Sequence, residues 1–189
     1  MDMFTREAIP TKREMEAKLS SVGDYVKMDY LTACLKKNLD FDTRKFALAK
    51  LAEIYEPRGM HAEAAKLMNA SAEINTTFDG KIKDFTKAME LFIKAGNFDD
   101  SDASFAKALA CGNERQKVEI KSKRKEFYAT QALAHLNRDK RTNAMKTYER
   151  FLSIADLTPG EKGQAQKNLL ALYEKLGKVR EFYNLKKVM

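Results

Sequence analysis

The sequence predicts an all-α protein, a right-handed α-solenoid of about five antiparallel helical hairpins. Three observations predict it. Apolar residues recur at three- and four-residue steps almost throughout, without two-residue alternation, which is the periodicity of helices and not of strands. Only 8 Gly and 3 Pro occur in 189 residues, too few for long linkers or an all-β fold. A pattern also repeats: a turn residue, then small and large apolar residues at helical spacing. Its clearest copy begins Gly96-Asn97-Phe98 and runs to Phe105-Ala106-Lys107-Ala108-Leu109, and related turns lie at Gly23, Gly59, Asp139 and Gly177. Intervals of 36 to 43 residues between these turns match the length of one helical hairpin.

Stop signals divide the chain into ten helices. Residues 1–10 form a tail, and 11–189 form a single domain. Thr11, after Pro10, caps a helix over about 12–20. Gly23-Asp24 turns the chain into a second, about 25–37. Asp42 or Thr43 caps the next, which runs to Tyr55. Pro57 ends it, because proline disfavours helix in the residue before it. A helix over about 60–75 follows, then a loop, Thr76-Thr77-Phe78-Asp79-Gly80. Helices over about 81–95 and 99–110 are split by Gly96-Asn97, and Asp99, Asp100 and Asp102 complement the dipole of the second. After Cys111-Gly112-Asn113 a long helix spans about 114–136. Beyond Asn137-Arg138-Asp139-Lys140 another runs to about 155. Thr158 caps the ninth, with Pro159 in its favoured first-turn place. Gly177 turns into the last helix, about 178–188.

Composition narrows the function classes. Charged residues are 33% of the chain, and its apolar runs reach about five residues, against the roughly 20 that a membrane-spanning helix needs. Met1-Asp2-Met3-Phe4-Thr5-Arg6-Glu7 lacks the basic start and apolar stretch of a secretion signal, so the expected location is the cytoplasm. Cys34 and Cys111 fit that compartment as small buried thiols rather than a disulfide. The net charge of +8 suits an acidic partner, nucleic acid or an anionic membrane surface.

The repeated residues carry a resemblance. The second hairpin has Leu48, Leu51, Ala52, Tyr55, Gly59 and Ala64. The third has Phe85, Phe92, Gly96, Phe98, Phe105 and Ala108, with Ser101 in place of an alanine. The fourth has Tyr128, Ala132, Ala144 and Tyr148, with Asp139 replacing the turn glycine. The fifth has Leu169, Leu170, Tyr173 and Gly177, with Phe182 where a small residue is expected. The chain thereby resembles a divergent, long-period member of the tetratricopeptide-repeat superfamily, similar in period to its SNAP-like branch. The first hairpin matches only at Gly23 and Tyr25. The resemblance implies a stack with a concave groove lined by the first helices of the hairpins. Family members that bind chaperone tails hold a carboxylate there with Lys, Arg and Asn. The corresponding places here are Ala49, Glu53, Thr86, Glu90, Ala129 and Leu133, so that clamp is absent.

Two surfaces are candidate sites. Between Arg115 and Lys125 six basic residues stand against one acid, Glu119. Lys117, Lys121, Arg124 and Tyr128 fall on one helical stripe flanked by Lys125, and Arg138, Lys140 and Arg141 follow in the next turn. This surface could bind RNA or a ribonucleoprotein, or be the solvated face of a helix whose first turns project beyond the stack. Tyr128 is also a packing residue of the repeat. In the last helix, Phe182, Tyr183, Leu185 and Val188 exceed what one inner face needs, and could mediate a homodimer or dock a partner.

Catalytic, metal and cofactor sites are not expected. His61 and His135 are the only histidines; His135 takes a packing place and His61 an exposed one. The sequence reading is therefore a non-enzymatic protein–protein interaction scaffold, with RNA binding and self-association as the alternatives.

Overall fold

The computed structural model describes residues 9–189, so residues 1–8 of the expected tail lie outside the described residues. The described residues hold ten α-helices and no strand: α1 (Lys12–Ser20), α2 (Asp24–Leu35), α3 (Phe41–Tyr55), α4 (His61–Ile74), α5 (Phe78–Ala95), α6 (Phe98–Cys111), α7 (Glu114–Asn137), α8 (Arg141–Leu152), α9 (Pro159–Lys175) and α10 (Val179–Lys187). None of them is long and apolar enough to cross a membrane.

Capping alternates along the chain. The odd-numbered helices all start on a side chain that accepts a backbone N–H: Thr11, Asp40, Thr77, Asn113 and Thr158. Thr11, Asn113 and Thr158 complete capping boxes with Glu14, Gln116 and Glu161. The even-numbered helices have no side-chain cap. Four of these follow one recurring backbone turn. Gly59, Gly96, Asp139 and Gly177 all have positive φ, between 52° and 78°. At each, the residue's own N–H bonds the carbonyl three back, and the next N–H bonds the carbonyl five back, as in Asn97 to Phe92 and Lys178 to Tyr173. This is the Schellman arrangement, which satisfies carbonyls that a helix end leaves free. The following residues, Met60, Asn97, Lys140 and Lys178, share φ near −80° and ψ between 54° and 72°. Gly23 is different: its φ is −73°, and no such turn joins α1 to α2.

Three boundaries differ from the sequence reading. Asp40, not Asp42 or Thr43, caps α3, accepting from the Thr43 N–H at 3.0 Å. Asp79-Gly80 is not a loop but the first turn of α5, capped by Thr77. Gly80 is needed there because the Asn75 side chain lies 2.3 Å from where a Cβ would sit. The helix after Asp139 ends at Leu152, short of 155.

No hairpin closes its own core. Met15, Leu31, Cys34, Ala47 and Leu51 join α1, α2 and α3. Ala52, Ala64, Ala88 and Phe92 join α3, α4 and α5. Ala72, Phe85, Ala108 and Ile120 join α4 through α7. The largest cluster runs from Met89 and Ile93 of α5 through Tyr128, Ala132, Ala144, Tyr148 and Phe151 to Leu169 and Tyr173 of α9. Alanines at helix crossings allow close approach, and the aromatics fill the space between hairpins. Ile120 is buried, so the first turns of α7 do not project beyond the other helices.

The turn geometry makes a paired prediction. Nothing crowds a Cβ at either Gly23 or Gly96, so only backbone conformation separates them. Gly96→Ala, at φ +78°, is expected to destabilise by about 1 kcal/mol. Gly23→Ala is expected to be neutral or to stabilise by up to about 1 kcal/mol by restricting the unfolded chain. Urea midpoints of the two variants check this; equal shifts would be inconsistent with it.

Candidate functional site

The grooves of this molecule lie along its odd-numbered helices. One, of about 560 Å³, runs between α3 and α5 and is lined by Ala49, Glu53, Thr86 and Glu90, with Lys123 and Phe127 of α7 at its far wall. A second, of about 730 Å³, lies between α7 and α9 over a floor of α8. Its walls carry Ala129, Leu133 and Ala165, and its floor Tyr148 and Phe151. Glu126 lines both. All six positions that the resemblance places inward thus line one groove or the other.

The two compartments differ in chemistry. In the first, Glu56 and Glu90 share Lys87 and Lys94, with Glu56 2.7 Å from Lys94. Burial opposes the charge on Glu56, but bonds to Lys94 and Lys87 hold its carboxyl below the ordinary range. Asp84 is buried and accepts from Ser71 at 2.9 Å and Asn75 at 3.2 Å. The lining as a whole is acidic, with Glu53, Glu56, Asp84, Glu90 and Glu126 against Lys83, Lys87 and Lys123. The second compartment is apolar. Leu133 is 51% exposed there, and Asn168 fixes the rim by donating to the Tyr148 hydroxyl at 2.8 Å. Ser122, Glu126, Ala129 and Leu133 recur at helical spacing, a stripe legible in the sequence. The facing residues Gln164, Ala165 and Asn168 carry no comparable signal.

The predicted basic surface is divided. Arg124 lies 2.6 Å from Asp102 and over the Phe105 ring, and its side chain is 16% exposed. Asp102 also pairs with Arg150 of α8, so one carboxylate ties α6 to both α7 and α8. Lys125 reaches Glu161 and the Asp156 carbonyl, joining α7 to the start of α9. Tyr128 is fully buried against Phe98, with ring centroids 5.7 Å apart. Lys117 pairs with Glu114 at 2.8 Å and Arg141 with Asp139 at 2.7 Å. Lys121, Arg138 and Lys140 remain exposed. Lys121 stands far from the other two, because 17 residues of helix from Lys121 to Arg138 span about 25 Å.

The C-terminal candidates also separate. Phe182 and Leu185 pack against the largest core, whereas Tyr183 and Val188 are 58% and 71% exposed. His61 is half-buried rather than exposed, and its Nδ1 has no partner. His135 is half-buried, with Nε2 2.9 Å from the Gln131 amide nitrogen. Cys34 is buried and Cys111 half-buried, both free. Among the described residues no group of three His, Cys, Asp or Glu side chains is placed to hold a metal ion. No protein-family model matches the sequence, and no curated protein matches it.

Two predictions follow from these charges. Asp102→Ala leaves the half-buried Arg124 without its carboxylate and Arg150 with only the exposed Asp99, and is expected to cost about 2 kcal/mol, a value reduced for partial exposure. Asp99→Ala, whose carboxylate is wholly exposed, is expected to change nothing measurable. Comparable urea midpoints for the two variants would disprove the bridging role of Asp102. The second concerns pH. Burial first, then neighbouring cations, holds both imidazoles below the ordinary 6.5: Lys94 acts chiefly on His61, and Lys140 and Arg138 on His135. The unfolded chain therefore takes up protons that the folded one refuses. The stability contribution is complete above pH 6.5 and is lost as pH falls through the lower folded values. Imidazole NMR titration should give both values below 6.5, and a His61→Gln, His135→Gln variant should lose less stability between pH 7.5 and 5.5.

Proposed function

We propose that this chain is a tetratricopeptide-like, right-handed α-solenoid that works as a non-enzymatic scaffold. It holds a segment of a protein partner in the groove along its odd-numbered helices. Support for the repeat architecture comes from four backbone turns of one geometry at hairpin intervals, and from cores shared between successive hairpins. The observation that carries the binding reading is the apolar compartment between α7 and α9. Leu133, 51% exposed, and half-buried Ala129 stand over a floor of Tyr148, Phe151 and Ala165, which the core itself almost wholly buries. Apolar surface left in a concave slot with a polar rim is suited to a partner's apolar side chains, which leave water on docking. The polar compartment beyond Glu126 then orients the rest of the segment through hydrogen bonds and paired charges.

A displayed random-peptide library tests this. Peptides selected on the wild type are expected to lose at least tenfold in affinity, about 1.4 kcal/mol, for an Ala129→Glu, Leu133→Arg variant of unchanged helicity. Selection that yields only peptides binding wild type and variant equally would reject the groove as the binding surface.

A further inference from the structure

One carboxylate in this molecule is buried without a cation. Asp84, 6% exposed, is the only Asp, Glu, Lys, Arg or His buried among the described residues. Ser71 donates to its Oδ2 at 2.9 Å and Asn75 at 3.2 Å. Its Oδ1 accepts nothing, and no ammonium or guanidinium group pairs with it among the described residues. The other carboxylates of the same groove are paired or hydrated. Glu53 has Lys50, Glu56 and Glu90 have Lys87 and Lys94, and Glu126 is exposed. Taking a carboxylate out of water costs free energy that only strong partners offset, and two neutral donors on one oxygen meet half of its capacity.

Asp84 lines the groove between α3 and α5, and so does Thr86, 7% exposed, whose hydroxyl oxygen has no partner. Buried polar groups in folded chains are almost always bonded. Two incompletely bonded side chains in one groove therefore mark a place where an outside group completes the set. An acceptor-only carboxylate calls for a donor, and a charged donor makes the strongest bond. Ala49, Met68 and Phe127 stand half-buried around it, apolar surface against which the methylene stem of a lysine or arginine packs. A metal ion is not served, because no third ligand joins any pair of carboxylates among the described residues. Phosphate would meet a lining with five carboxylates against three ammonium groups. Lys83 and Lys123, the lysines there without an ion pair, are exposed and free to turn to water, whereas Asp84 is fixed by its two bonds.

We propose that Asp84 receives a lysine or arginine side chain of the partner segment whose apolar residues sit between α7 and α9. This names the partner's chemistry and rests on the scaffold reading given above. Glu126 lines both grooves, so a segment seated in the second passes over α7 into the first. Packed helices lie about 10 Å apart and an extended chain advances about 3.3 Å per residue. The cation therefore stands within about six residues of the apolar anchor. Glu126, exposed and without an ion pair, meets the segment on the way and draws the same sign of charge.

The test selects displayed random peptides on the full chain and keeps the clones that require Ala129 and Leu133. These clones are expected to share a lysine or arginine at one position. By fluorescence anisotropy of the tightest clone as a dye-labelled peptide, Asp84→Asn should weaken binding about tenfold. Norleucine for that peptide lysine, or citrulline for the arginine, should do the same on the unaltered chain. Both changes together should cost little more than either alone, because they remove one contact. Asparagine keeps an oxygen for Ser71 and Asn75, and helicity and urea midpoint confirm that the variant is folded. Lys83→Gln with Lys123→Gln should tighten binding by removing like charge from the lining. Clones without a shared cation, additive losses, or equal binding to Asp84→Asn and wild type overturn this inference and leave the groove reading standing. Weaker binding by the Lys83→Gln, Lys123→Gln variant also overturns it, since an acidic segment would then be the occupant. If no clone requires Ala129 and Leu133, the groove reading falls and this inference with it.

Discussion

The constraint on which the structure depends is that no pair of its helices can bury both of its apolar faces. Every core cluster draws on at least three helices. A hairpin taken alone would leave Leu91 and Phe92, or Tyr148 and Phe151, facing water, at a cost of roughly 1.5–3 kcal/mol for each large side chain. Stability is therefore held at the contacts between successive hairpins, and these require a reproducible angle between the two helices of each. The left-handed turn supplies it. One residue at positive φ, followed by one near −80°/65°, reverses the chain in two residues while the Schellman bonds close the preceding helix. Glycine takes the first place three times because it has no Cβ to strain. Asp139 takes it once, with its carboxylate on Arg141.

Electrostatics refine this frame rather than build it. Asp102 lies where α6, α7 and α8 meet and answers two arginines at once. Lys125 anchors the start of α9 through Glu161 and the Asp156 carbonyl. Glu56 and Glu90 draw Lys87 and Lys94 together beside the first groove. A cation committed to such a contact is withdrawn from recognition, because releasing it would leave a half-buried carboxylate unpaired. The chain's +8 charge is accordingly a poor guide to its surfaces, and what counts is the set of cations left without partners.

The architecture of hairpins was legible because its signals are local. Glycine or aspartate at the turn, proline after Glu56, and Thr11 and Thr158 before their helices act within a few residues of themselves. The structure has Thr11 and Thr158 in the expected places, whereas Glu56 before the proline stays helical and a 3-10 turn over Glu56–Arg58 carries the chain on to the left-handed Gly59. Boundaries failed where a distant side chain intervened. Asp79-Gly80 reads as a turn, yet Gly80 is helical and small because Asn75 occupies the space beside it. Asp40, Asp42 and Thr43 offer equivalent capping chemistry, and only the path of the preceding chain selects among them. Spacing puts the basic stripe on one helix face, but whether a face meets solvent or another helix is not encoded in that spacing. Lys117, Arg124 and Tyr128 share a stripe and end respectively in a surface ion pair, an inter-helix bridge and the core.

The sequence by itself determined the helical class, the number of helices, the places where the chain turns, and the small and aromatic residues that pack between hairpins. Those properties follow from backbone preference and apolar periodicity, which act over one or two helical turns. The tertiary structure alone decided which charges are spent and which remain free, that Leu133 stands exposed over the groove between α7 and α9, and that the turn at Gly96 meets the start of α8. Such properties arise when residues tens of positions apart come within contact distance, and neither the spacing nor the identity of the separate residues contains that distance.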